Sequence, residues 1–174
     1  MSLHTTLNQL SPADAERALK ACCASSAWVT KMLEHRPFAT SDRVLAAADE
    51  IWAKLARSDI LEAFAGHPKI GQSLATLRER FAKTAHWSSQ EQARVALATD
   101  ELLEELRQLN LAYEQRFGYI FIVCASGKSA EEMRDLLKTR MHHSPDRELG
   151  VAAEEQAKIT RIRLEKLANA EGEP

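Results

Sequence analysis

The chain has 174 residues, 45% hydrophobic and 28% charged, with a formal net charge of −2. That is enough chain and enough apolar content to bury one full core, so a single domain over residues 1–174 is expected. Lys and Arg are scattered among Asp and Glu, which excludes the electrostatic footprint of a nucleic-acid or anionic-membrane binder.

The caps predict the elements in chain order. Ser11-Pro12-Ala13-Asp14 opens a helix running to about Ala24, with Pro at the first helical position. Ala27 to His35 reads as a second helix, ended by Arg36-Pro37. Ser41 caps a third, whose Val44, Leu45, Ala48, Ile51, Trp52 and Leu55 recur at helical spacing. Asp59 opens a short helix that Gly66 stops. Leu74, Leu77, Arg78 and Phe81 suggest another, up to about Lys83.

Ser88-Ser89-Gln90-Glu91 starts the longest helix, with Val95, Leu102, Leu106, Leu109 and Tyr113 inward and Gly118 at its end. The β-branched and aromatic run from Tyr119 to Ala125 breaks the helical pattern. Ser129-Ala130-Glu131-Glu132 is a capping box opening a helix through about Met141. Ser144-Pro145 opens the last, where Leu149, Ala152, Ala153, Ile159, Ile162 and Leu167 form a stripe. The reading is an all-α single-domain bundle of about eight helices with one short extended apolar segment near 119–125.

No stretch approaches the roughly 20 apolar residues of a spanning helix, so no membrane partner is expected. Met1 to Thr6 lacks a basic and apolar leader, and Glu171-Gly172-Glu173-Pro174 carries no peroxisomal address. A cytoplasmic location is the default. Cys22 and Cys23 are adjacent and Cys124 lies in the apolar run, which argues for a reducing compartment and small buried side chains. No Cys or His pair has zinc-type spacing, and His142-His143 face different sides of a helix, so no metal is expected.

The turn Gly66-His67-Pro68-Lys69-Ile70-Gly71 holds an imidazole between two helical segments. Pro68 fixes the chain beyond it and biases His67 toward extended geometry. A histidine so held suits general acid–base work near neutral pH, although the turn alone also fits a surface-loop histidine. Ser88 and Glu91 have capping-box spacing; Glu91 could serve only its own helix start, or present a rigid carboxylate where the helix dipole favours anions. Ala125-Ser126-Gly127-Lys128-Ser129 superficially resembles a phosphate loop, but Ile122 stands where that motif needs glycine. Arg161 and Arg163, two apart on the last helix, cannot share a face.

Five blocks together resemble a known family. Gly66-His67-Pro68-x-Ile70-Gly71, Ser88-x-x-Glu91-Gln92, Leu109-Asn110-x-x-Tyr113-x-x-x-Phe117-Gly118, Phe121-Ile122-Val123 and Lys158-Ile159-x-x-x-Arg163-Leu164 occur in order over most of the chain. They look like 2-oxo-4-hydroxy-4-carboxy-5-ureidoimidazoline (OHCU) decarboxylase. The resemblance implies a cofactor-free all-α homodimer that converts OHCU to (S)-allantoin and CO₂ in urate breakdown. It also implies that His67 and Glu91 are catalytic. Pro68 would wall the pocket, Ser88 and Gln92 would bind ring or ureido amides, and Phe121, Ile122, Val123, Cys124 and Ala125 would give an apolar floor with backbone groups. Arg163, rather than Arg161, matches the family's inward arginine.

The chain departs from the family pattern at Arg94, where a small residue is usual, and at Tyr119-Ile120-Phe121, where Phe-Pro-Phe is frequent. The competing reading is a non-enzymatic all-α interaction or regulatory module. Its signature would be an exposed apolar groove or a basic recognition helix.

Overall fold

The computed structural model describes residues 1–67, 69, 77, 92–125 and 128–169, and the side chains among these apart from 92–99 and 169. Eight helices lie among the described residues: α1 (Leu3–Gln9), α2 (Pro12–Cys22), α3 (Ser26–Glu34), α4 (Ser41–Trp52), α5 (Arg57–Ala65), α6 (Gln92–Phe117), α7 (Ala130–Arg140) and α8 (Pro145–Asn169). No strand occurs among these residues, so the all-α expectation holds.

The caps explain most boundaries. Ser11 Oγ accepts from the Asp14 amide at 3.2 Å and starts α2. Ser129 and Glu132 exchange both capping-box bonds, at 3.2 and 2.8 Å, and start α7. The Glu148 amide donates to Ser144 O at 2.9 Å in the first turn of α8. Gly118 stops α6 at φ 79°, a left-handed conformation that a side chain rarely adopts.

Three boundaries differ from expectation. Thr40, not Ser41, caps α4, because its Oγ1 reaches the Arg43 amide at 3.2 Å. Asp59 sits at the third position of α5, bonding back to the Ala56 amide at 3.2 Å, rather than at its start. The additional helix α1 has no side-chain cap bond and only seven residues, so nothing in the local sequence marks it. Of the helix expected up to Lys83, only Leu77 is described, helical and buried.

The chain divides into two compact units. The first comprises residues 1–67, 122–124 and 152–174. Its core joins α1 to α5 through Leu7, Leu19, Trp28, Val44, Ile51 and Ala63, together with Leu164 of α8. Trp28, buried, and Trp52, half-buried, both satisfy their ring N–H groups: Trp28 Nε1 donates to Ala48 O and Trp52 Nε1 to Ala153 O, each at 3.1 Å. Glu62 on α5 accepts from the backbone and hydroxyl of Ser26, at 3.0 and 2.6 Å, so it caps α3 from outside. Those bonds hold its carboxyl below the usual carboxylate range.

The second unit comprises residues 68–121 and 125–151. Here α6 packs on α7. The most enclosed residues of α6 are Leu103, Leu106 and Tyr113, whereas Leu102 and Leu109, expected inward, are half-buried. Rings of Tyr113, Phe117, Tyr119 and Phe121 cluster with centroids 4.7–6.3 Å apart. Beneath them Glu148, fully buried, accepts from Tyr113 Oη, from Arg140 Nε at 2.8 Å and from His143 Nδ1 at 2.7 Å. Burial pushes the Tyr113 phenol well above its ordinary range, and the bond to Glu148 acts in the same direction. No helix among the described residues is long and apolar enough to cross a membrane.

Candidate active site around His67

Helix α5 delivers His67. Its amide donates to Phe64 O at 3.1 Å, so the residue sits one step past the last turn. Gly66 has φ −74° and does not use the left-handed freedom expected of a helix-ending glycine. It is needed for contact instead: a Cβ there would lie 2.2 Å from the Cβ of Ala24. The end of α5 therefore rests directly on the turn between α2 and α3. With Glu62 tying α5 to the start of α3, the imidazole hangs from a fixed corner of the first unit.

The ring is half-buried, and its Nε2 meets Gln156 Oε1 of α8 at 2.5 Å. Gln156 is wholly enclosed, and its amide nitrogen donates to Thr160 Oγ1 at 3.1 Å. A carbonyl oxygen can only accept, so the contact between His67 and Gln156 is a hydrogen bond when His67 Nε2 carries the proton.

Burial pulls the His67 pKa below its ordinary value because the charged form loses hydration. The Gln156 acceptor opposes that shift, and the positive charge of Arg163 reinforces it. Arg163 is half-buried, with Nη1 reaching Ala21 O and Cys22 O at 3.3 Å. It thus satisfies the carbonyl end of α2, where a cation is favoured. Arg161 is exposed and pairs with Asp49 at 3.0 Å. The thiols at that helix end are raised by burial, Cys22 to about 12 and Cys23 to about 11.

Of the other sequence-predicted site residues, Ile122 and Val123 are buried in the first unit, and Cys124 is half-buried. The Cys124 amide donates to Glu155 Oε2 at 2.7 Å, which fastens this strip of non-helical chain to α8 next to Gln156. Phe121 belongs to the second unit, 5.2 Å from the Tyr113 ring and under the Arg140 guanidinium at 4.5 Å. Ala125, also in the second unit, accepts from the Lys128 amide at 3.2 Å. Gln92 is the first residue of α6, and its side chain lies outside the described residues, as do Pro68, Ser88 and Glu91.

Residues 8–165 match the family model for OHCU decarboxylase. The chain belongs to the OHCU decarboxylase family.

Its relatives place that family in urate breakdown. A uric acid degradation bifunctional protein of Arabidopsis thaliana is 36% identical over 149 residues, 85% of this chain and 45% of the relative. The chain thus spans less than half of that two-function protein. A decarboxylase of Halalkalicoccus jeotgali, named for the same ureidoimidazoline, is 28% identical over 93% of this chain and 91% of its own length. Among solved structures, an OHCU decarboxylase crystallised in the presence of (S)-allantoin aligns with a TM-score of 0.69 at 35% identity, over 86% of this chain and 96% of that one.

Sequence reasoning missed Gln156, Thr160 and Glu155. Of the stripe Leu149, Ala152, Ala153, Ile159, Ile162 and Leu167 that hydrophobic periodicity marks on α8, only Ala152 is enclosed and the rest are half-buried. The enclosed row is Glu148, Ala152, Gln156, Thr160 and Leu164, a perfect i, i+4 series in which three members are polar. The spacing was visible; the apolar criterion skipped it.

Proposed function

We propose that this protein decarboxylates OHCU to (S)-allantoin and CO₂ in urate breakdown. The observation that carries the reading is the half-buried imidazole of His67, held by Gln156, kept toward its neutral form by burial and by Arg163, in a chain of this family. Loss of CO₂ breaks the carbon–carboxylate bond and leaves an electron pair on the ring carbon. The imine of the substrate ring accepts that pair, so the chemistry requires neither metal nor organic cofactor. Neutral His67 takes the proton of the substrate hydroxyl and then delivers a proton to one face of the enol-like intermediate, which fixes the (S) configuration.

Arg163, with a planar fork suited to carboxylates, anchors the substrate carboxylate or a carbonyl. Glu91 engages the hydroxyl and carboxylate region, Ser88 and Gln92 the ureido amides, and Pro68 the pocket wall. The apolar strip Phe121 to Ala125 excludes water and strengthens these contacts. These roles are carried by the match of the residues to the family blocks. We read the working form as a cytoplasmic homodimer; light scattering on the purified chain tests the dimer, and cell fractionation tests the location.

The test of the reaction generates OHCU in situ from urate with urate oxidase and hydroxyisourate hydrolase and follows circular dichroism. The expected result is accelerated appearance of (S)-allantoin. An unaccelerated, racemic product would overturn the reading.

A further inference from the structure

His67, Gln156 and Thr160 form one chain of hydrogen bonds that ends at a buried hydroxyl. We propose that Gln156 is a positioning residue that selects the His67 tautomer, protonated on Nε2 and with its lone pair on Nδ1. The proposal rests on the reading of His67 as the acid–base group.

The Gln156 amide presents its oxygen to His67 and donates from its nitrogen to Thr160 Oγ1. An amide oxygen is satisfied only by a donor, so the ring nitrogen that faces it carries the proton. Turning the amide over would point an N–H at His67 and an oxygen at Thr160. A fully enclosed amide leaves neither end unpaired without a desolvation cost.

The choice of an amide also matters. A carboxylate at position 156 would accept the same hydrogen but would stabilise the imidazolium; the amide orients the ring without adding charge. Gln156 and Arg163 lie seven residues apart on α8, two turns along one face. One helix thus supplies the group that orients the imidazole and the cation that disfavours its protonation.

The experiment is ¹⁵N NMR of the His67 ring in the full-length protein, at a pH where the ring is neutral, with kcat and KM measured alongside. Wild type is expected to show the proton on Nε2. Gln156→Leu is expected to show a mixture of both tautomers, with kcat down about 10-fold and KM little changed, as outer-shell partners of working histidines commonly behave. Gln156→Glu, which keeps an acceptor, is expected to keep the wild-type tautomer. Should Gln156→Leu not fold, Thr160→Val releases the amide from its far anchor and is expected to mix the tautomers too. A wild-type proton on Nδ1, or an unchanged tautomer in the Leu variant, would overturn the proposal. Turnover by folded His67→Gln would instead overturn the catalytic reading of His67, whatever its wild-type tautomer.

Discussion

Helix α8 contributes to two buried polar clusters, one in each unit, and they are built in opposite ways. Around Glu148 the cluster is ionic: one carboxylate takes donors from Tyr113, Arg140 and His143, and both of its oxygens are committed. Around Gln156 it is neutral, an amide between an imidazole and a hydroxyl. His143 meets a carboxylate, whereas His67 meets an amide. The first arrangement saturates its groups and serves to hold α6, α7 and the start of α8 together. The second fixes one nitrogen of a histidine and leaves the lone pair on the other. A buried histidine is therefore not diagnostic by itself; the charge of its partner separates a fastening from a reactive group.

Substitutions should split along that line. The largest effect is expected for His67→Ala, with activity down about 10²–10⁴-fold, the usual contribution of a general acid–base group. Its urea midpoint should move less than that of a variant in the ionic cluster, since what it leaves is one amide oxygen without a donor, worth about 1–3 kcal/mol. Steady-state kinetics with chemical denaturation checks both halves. Glu148→Ala should do the reverse, costing about 3–5 kcal/mol of stability because Arg140 loses its buried carboxylate. Equal destabilisation by the two variants would erase the contrast between the clusters.

A smaller effect separates the two arginines of α8. Arg163→Ala is expected to lower kcat/KM about 10–100-fold, within the range for a lost charged hydrogen bond, with Arg163→Lys also impaired because it lacks the fork. Arg161→Ala should leave kcat/KM within about twofold, since its pairs with Asp49 and Glu165 lie on the surface. A crippled Arg161→Ala would reverse the assignment. The smallest effect is on the thiols. Cys22 and Cys23, buried and with raised pKa values, should stay unlabelled by thiol reagents at pH 8 while half-buried Cys124 reacts first, as mass spectrometry would show.

Much of the fold was legible because capping chemistry is local. Ser11-Pro12, Ser129 with Glu132, and Gly118 each set a boundary through bonds spanning four residues or fewer. The short helix α1 was not, since Leu3 and Leu7 are held by the core of the first unit and not by any cap. Gly66 was noticed for the wrong reason: its value is the close approach to Ala24, a contact over 42 positions that no local pattern announces. In the candidate site, His67 stands out by residue type and by its turn, whereas residue type leaves Arg161 and Arg163 equal and only the family blocks choose Arg163. Gln156 and Thr160 were not legible, because a buried amide and hydroxyl look like surface residues until the tertiary structure supplies their partners.

The most direct test of His67 as a neutral acid–base group is the pH dependence of kcat/KM. Burial and the Arg163 charge place its pKa below the ordinary 6.5 in the folded protein, despite the opposing bond from Gln156. The same shift means that the unfolded chain binds the extra proton first. The histidine's contribution to stability is therefore complete above pH 6.5 and is lost as pH falls from there through the folded pKa. The account predicts that kcat/KM, which reports groups of the free enzyme, holds steady through pH 6.5 and falls only on the acid side of it. A half-maximal rate at or above pH 6.5 would contradict the claim that the imidazole is held neutral for reaction.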